Sequence, residues 1–183
     1  MFLSDTDIKA AVTDGKITLE PFDATRLQPA SYDICLGNTF IINDPHSIQA
    51  IDPVKGVHPK THSLEVADGE EFVLHPGVSI LGYTKERFGS DEYLIELNGK
   101  SSLARIGLIV HNSASIVNPG HYLNMALELC NLNNVPIVLR PGMEIAQLTF
   151  SPLSSPPQQR YENTGRYNDD NVQGYAPPKA SSS

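Results

Sequence analysis

The sequence has no tryptophan, two cysteines, and 13 Lys and Arg residues against 21 Asp and Glu. Each shortage excludes something. Cys35 and Cys130 lie far apart and no C-x-x-C pair exists, so a disulfide framework cannot be built; free, buried thiols in a reducing compartment are expected. The shortage of basic residues leaves a formal net charge of -8, which argues against a wide basic face for nucleic acid. An anionic ligand would need its counter-charge concentrated locally. No apolar run approaches the length of a membrane span. Met1-Phe2-Leu3-Ser4-Asp5 also lacks the basic and then apolar segments of a signal peptide. A cytoplasmic protein without a membrane partner is the expectation.

Motifs that would announce a chemistry are missing too. There is no P-loop, no G-x-G-x-x-G and no G-x-S-x-G. Zinc-dependent cytidine deaminases need H-x-E and P-C-x-x-C elements, and neither occurs; the six histidines are scattered. An enzyme built on this chain must rest on a side-chain acid/base and a positioned water.

What is present is a chain of 183 residues, enough for one domain with a real core. Gly (13) and Pro (14) are frequent among short apolar runs, which points to a mainly β fold. Ser4-Asp5-Thr6-Asp7 predicts a capped helix start, with Ile8, Ala11 and Val12 on one face and Gly15 at the exit. Strand patterns follow over Ser31–Leu36, Phe40–Ile42, Glu71–Leu74, Val78–Thr84 and Glu92–Leu97. They resume over Leu108–His111, Leu123–Cys130, Val135–Leu139 and Ile145–Phe150. Asp52–Asp68 reads as an irregular excursion. The composition shifts after Pro152, dividing the chain into a β domain over 1–152 and a linker with a loosely held tail over 153–183.

Three segments could carry chemistry. Gly99-Lys100-Ser101-Ser102-Leu103-Ala104-Arg105 reads as one or two helical turns between strands, with hydroxyls and free N–H groups at its start. Taken alone, it is better explained as a capped surface helix with two solvated cations. In Leu123–Cys130, alternation puts Glu128 on a face shared with Asn124, Ala126 and Cys130. If that face is buried, desolvation fits the carboxylate for acid–base work; an ordinary exposed glutamate is the plain alternative. Val110–Gly120 reads as a strand, a loop and a turn, in which His111 is more simply a core or interface histidine than a catalytic one.

These blocks, in this order, resemble the dCTP deaminase family of the dUTPase-like superfamily. The family's G-R-S-S-L-A-R-L-G-L is matched by Gly99-Lys100-Ser101-Ser102-Leu103-Ala104-Arg105-Ile106-Gly107-Leu108. Its A-H-R-I-D-P-G turn is matched by Ala114-Ser115-Ile116-Val117-Asn118-Pro119-Gly120, with Leu127-Glu128 at the family spacing. Leu3-Ser4-Asp5, Pro29–Asn38, Leu139–Met143 and the tail Gly165-Arg166-Tyr167 with Gln173-Gly174 extend the likeness over nearly the whole chain.

The resemblance implies a distorted β-barrel or jelly-roll subunit, a homotrimer with active sites between subunits, and a tail that folds over the nucleotide. The implied reaction is metal-free hydrolysis of dCTP to dUTP and ammonia. Magnesium would accompany the triphosphate, no zinc would be used, and dTTP is a candidate inhibitor. Glu128 would be the acid–base residue, oriented by Ser101 and Arg105. Ala114 would offer backbone groups near C4, and Ser115 and Asn118 would belong to the nucleotide pocket. Lys100, Ser102, Tyr161, Arg166 and Gln173 would meet phosphate or sugar.

Five positions depart from the pattern: Ser115-Ile116 replaces His-Arg, Asn118 an aspartate, Leu123 a glycine and Lys100 an arginine. A bifunctional relative giving dUMP ranks second here, because its N-A-G-W-V-D-P-G turn reads shorter and keeps the aspartate. A pure dUTPase ranks third, since it would want a glycine in place of Ser102. A nucleotide binder without catalysis is the alternative of a different class.

Overall fold

The computed structural model of the chain describes residues 1–167. Helix α1 (Asp5–Thr13) opens it. Ser4 caps the helix by accepting the Asp7 N–H, and Ile8 and Ala11 are buried beneath it. Strands β1 (Ile17–Glu20) and β2 (Leu27–Gln28) flank a short 3-10 turn, Ala24–Arg26. The long β3 (Ser31–Asn43) leads through the excursion to β4 (Thr61–Glu65) and β5 (Phe72–Leu74). Next come β6 (Ser79–Ser90), β7 (Tyr93–Gly99), the short helix α2 (Ser101–Arg105), β8 (Leu108–Ile109) and β9 (Ile116–Val117). β10 (Leu123–Asn131), β11 (Ile137–Leu139), β12 (Glu144–Pro152) and one helical turn, α3 (Tyr161–Thr164), complete the described chain. No helix among the described residues is long and apolar enough to cross a membrane.

The fold is mainly β, as expected. A curled, ten-stranded sheet runs β8-β10-β6-β3-β12-β7-β9, with β1 on β6 and both β2 and β4 on β3; β5 and β11 form a separate pair. All the strand pairings are antiparallel. β3 is the hinge of the curl. Its first half pairs with β12, through Tyr32 to Cys35, and its second half pairs with β6, through Leu36 to Ile41. Tyr32, Phe40, Phe88 and Phe150 fill the core with Leu97, Leu127 and Leu148, all fully buried.

Several readings of the sequence are corrected here. β3 does not stop at Gly37-Asn38 but continues through them to Asn43. Its first half does not alternate in burial: Ser31 to Leu36 are all buried, since α1 and the Ala24–Arg26 turn also pack against this strand. The excursion hides β4, an edge strand whose five residues are all exposed, so no alternation could reveal it. β1, β2, β9 and α3 are too short for periodicity to mark. Both cysteines are free thiols, Cys35 buried and Cys130 half-buried. Burial, reinforced by the nearby Glu86 carboxylate, pushes the Cys35 thiol above its ordinary pKa.

Candidate active site

β10 carries the centre of the site. Its alternation sends Met125, Leu127, Leu129 and Asn131 inward, while Asn124, Ala126, Glu128 and Cys130 face out. Across the ladder to β6, Ala126 stands opposite Tyr83 and Glu128 opposite Leu81. These residues lie in a groove of about 950 Å³, a size suited to a small-molecule ligand. The face of Glu128 is thus half-buried and open to the groove, between the two alternatives the sequence left.

The register that aims Glu128 outward is fixed a few residues upstream. The ladder breaks between Asn124 and Ala126. There the Met125 N–H donates to Thr84 Oγ1 at 2.8 Å, and the Asn124 side-chain amide donates to the Thr84 and Lys85 carbonyls, each at 3.1 Å. The Thr84 hydroxyl donates in turn to the Glu86 carbonyl at 2.8 Å. The Glu86 carboxylate, 0% exposed, accepts the Cys35 N–H at 2.8 Å and pairs with Arg26. A buried carboxylate is tolerated when its oxygens are satisfied in this way. A slip of one residue would turn Glu128 into the core, and this network opposes it.

Glu128 Oε2 accepts the backbone N–H of Asn112 at 3.1 Å. Asn112 sits in the loop after β8, beside Ser113, whose φ is +68°. Few residues with side chains adopt that conformation. Past the bend, Ala114 joins the wall of the groove. His111, on the strand side of the bend, is half-buried, and its Nδ1 finds no hydrogen-bond partner among the described residues.

The residues singled out in the sequence divide into groups. Glu128, Ala114 and Tyr161 line one groove. Ser101, Ser102 and Arg105 lie exposed on α2 and do not line it. Lys100 heads the same helix, but its Nζ lies 2.6 Å from Asp33 Oδ2 and also bonds Glu144 Oε2. Burial opposes its charge, yet the hydrogen bonds it donates to both carboxylates raise its pKa above the ordinary lysine value. The Ser115 carbonyl accepts the Leu97 N–H at 2.9 Å, and the Asn118 carbonyl accepts the His121 N–H at 3.1 Å, so both backbones shape the turn. Arg166 is exposed, and Gln173 lies outside the described residues.

Among the groove residues that the sequence reading did not single out are Asn112, as the donor to Glu128, and His121. Asn112 acts through its backbone, which no side-chain pattern reports. His121 follows directly on the Asn118-Pro119-Gly120 turn, and that position was the available signal. Among the described residues no group of three or more His, Cys, Asp or Glu side chains could hold a metal ion.

A family model described as dCTP deaminase-like matches residues 2–153. The chain belongs to that family. Among curated relatives it is 46% identical to a protein of Tropheryma whipplei (strain Twist) over 88% of this chain and 83% of that one. It is 43% identical to one of Beutenbergia cavernae over 88% and 84%. It is 42% identical to one of Clavibacter michiganensis over 100% and 90%. Each of these is named dCTP deaminase, dUMP-forming. Among solved structures, 2'-deoxycytidine 5'-triphosphate deaminase from Agrobacterium tumefaciens superposes with a TM-score of 0.61 at 23% identity. That match covers 81% of this chain and 46% of the other, and it speaks to the fold.

Proposed function

We propose that the chain hydrolyses the 4-amino group of dCTP, with Glu128 as the acid–base residue, and carries the product on to dUMP. The observation behind the first step is Glu128 itself, outward on a register-locked strand, in a ligand-sized groove, and oriented by the Asn112 N–H. Water attacks C4 as Glu128 takes its proton. The carboxylic acid then protonates N3, and the second proton of that water leaves with the amine as ammonia. One carboxylate serving first as base and then as acid is ordinary general catalysis. Ala114 presents backbone groups toward the reacting edge.

Ser101 and Arg105 belong to the same chemistry but do not line this chain's groove. We propose that a neighbouring copy supplies them in a homotrimer, so each site takes α2 from one subunit and β10 from the next. Ser102, Ser115, Asn118, Arg166 and Gln173 are proposed nucleotide contacts. Magnesium is proposed to arrive with the triphosphate.

The second step, attack of water on the α-phosphorus with release of pyrophosphate, is favoured by the dUMP-forming names of relatives 42–46% identical. This reverses the sequence-based ranking, which placed dUTP first. Asn118 favours the earlier reading, because an amide cannot act as the base that an aspartate at this turn would supply. A time course with dCTP and magnesium, resolved by ion exchange, decides between them. Accumulation of dUMP from the first turnover supports the two-step reading. Accumulation of persistent dUTP limits the chain to deamination.

A further inference from the structure

Residues 160–167 are tied to the turn that precedes β10. The backbone N–H of Tyr161 donates to the Pro119 carbonyl at 3.1 Å, which docks α3 onto the turn that precedes β10. The Tyr161 ring lies flat against the imidazole of His121, with centroids 3.9 Å apart and planes inclined by 18°. His121 Nε2 stands 2.9 Å from the Tyr167 carbonyl. A carbonyl only accepts, so Nε2 carries the hydrogen in this contact. From the other side, Arg160 pairs with Asp91 at 3.0 Å, and Asp91 also accepts the Tyr122 hydroxyl at 3.0 Å.

Two glycines make room for this seat. Gly120 has φ +82°, and a Cβ there would stand 3.0 Å from the Cβ of Arg160. A Cβ on Gly165 would lie 2.1 Å from the Tyr161 ring. The close approach of chain to ring therefore requires glycine. His121, Tyr161 and Tyr167 all line the groove that holds Glu128.

We propose that His121 is a positioning residue for the nucleotide site. By stacking on Tyr161 and bonding the Tyr167 carbonyl, it seats residues 161–167 as a wall of the Glu128 groove. Nucleotide affinity then depends on His121 through Tyr161, while the reacting atoms are handled by Glu128. The effect on turnover rests on the dCTP reading above; the seat itself does not.

The chain lacks tryptophan, so Tyr161→Trp places a single indole at the stack as a reporter. Emission and acrylamide quenching are measured in the full-length chain, with His121 intact and with His121→Ala. The expected result is a shielded indole with His121 and a red-shifted, readily quenched one without it. Arg160→Ala, at an exposed ion pair, should loosen the same indole if the alanine at 121 proves too disruptive to fold. Identical emission and quenching in all three proteins overturns the seat.

In the natural Tyr161 background, His121→Ala should raise KM for dCTP about tenfold, the loss of one stack and one hydrogen bond, with a much smaller change in kcat. His121→Phe, which keeps the stack, should recover most of that loss. An unchanged KM, or a fall in kcat alone, overturns the positioning role even where the reporter responds. Failure of the unaltered chain to turn over dCTP would sink the proposed function, and the indole readout would still decide the seat.

Discussion

The backbone N–H of Asn112 points at Glu128 Oε2 from 3.1 Å, across the groove between the loop after β8 and the middle of β10. A carboxylate held by a backbone donor keeps one oxygen oriented while the other stays available, which suits a group that must accept and return a proton. Asn112 is carried by a loop and Glu128 by a strand, so the pair depends on the register of β10.

Lys100 is predicted to contribute more to stability than a phosphate ligand would. Lys100→Met leaves Asp33, 4% exposed, without its nearest cation. A loss of about 2–3 kcal/mol in urea unfolding is expected, as for a partly buried pair losing one partner. Adding Asp33→Asn should restore part of it. Full stability of the single variant would refute this placement of the charge.

Tyr122 gives a pH signature. Burial and its hydrogen bond to Asp91 push the phenol up to about 12, against about 10 in an unfolded chain. Between those values the folded state holds a proton that the unfolded state has released, so stability falls as pH rises. The contribution is whole below pH about 10 and gone above about 12. Thermal melts from pH 9 to 11.5 should show a shallower decline for Tyr122→Phe than for the unaltered chain. Equal slopes would contradict the assignment.

The division of proposed site residues between α2 and the groove predicts complementation. Glu128→Gln and Arg105→Ala chains should each be inactive as homo-oligomers. Co-refolded in equal amounts, they should regain about a quarter of the sites, the fraction in which two randomly paired copies each bring the intact half. Mixtures as dead as their components would mean that each chain builds its site alone.

Much of this architecture was legible beforehand, for a physical reason. The helix at Asp5 announces itself through the Ser4 cap, and β10 through strict alternation, which correctly placed Glu128 on the face away from Leu127 and Leu129. Elements fixed by long-range contacts were not legible. β4 has no buried residue to betray it, and β9 exists because two residues happen to meet β7. Lys100 read as a free cation because Asp33 and Glu144 are distant in sequence. Likewise, nothing local in the tail predicts that Tyr161 will meet His121.

Truncation after Pro157 removes Arg160 and Tyr161 with everything beyond. KM for dCTP should rise sharply while the β domain keeps its unfolding transition. An unchanged KM would show that the segment has no part in binding.

The most direct test compares ammonia release from dCTP by the unaltered chain and by Glu128→Gln, with dCTP-induced shifts in Tm measured on both. The predicted result is steady ammonia release from the first. The variant should fall by about a hundredfold or more, the scale of a lost general acid–base group, while dCTP still raises its Tm. A Glu128→Gln chain that releases ammonia at most of the original rate would contradict the account. So would an unaltered chain that binds dCTP and releases none.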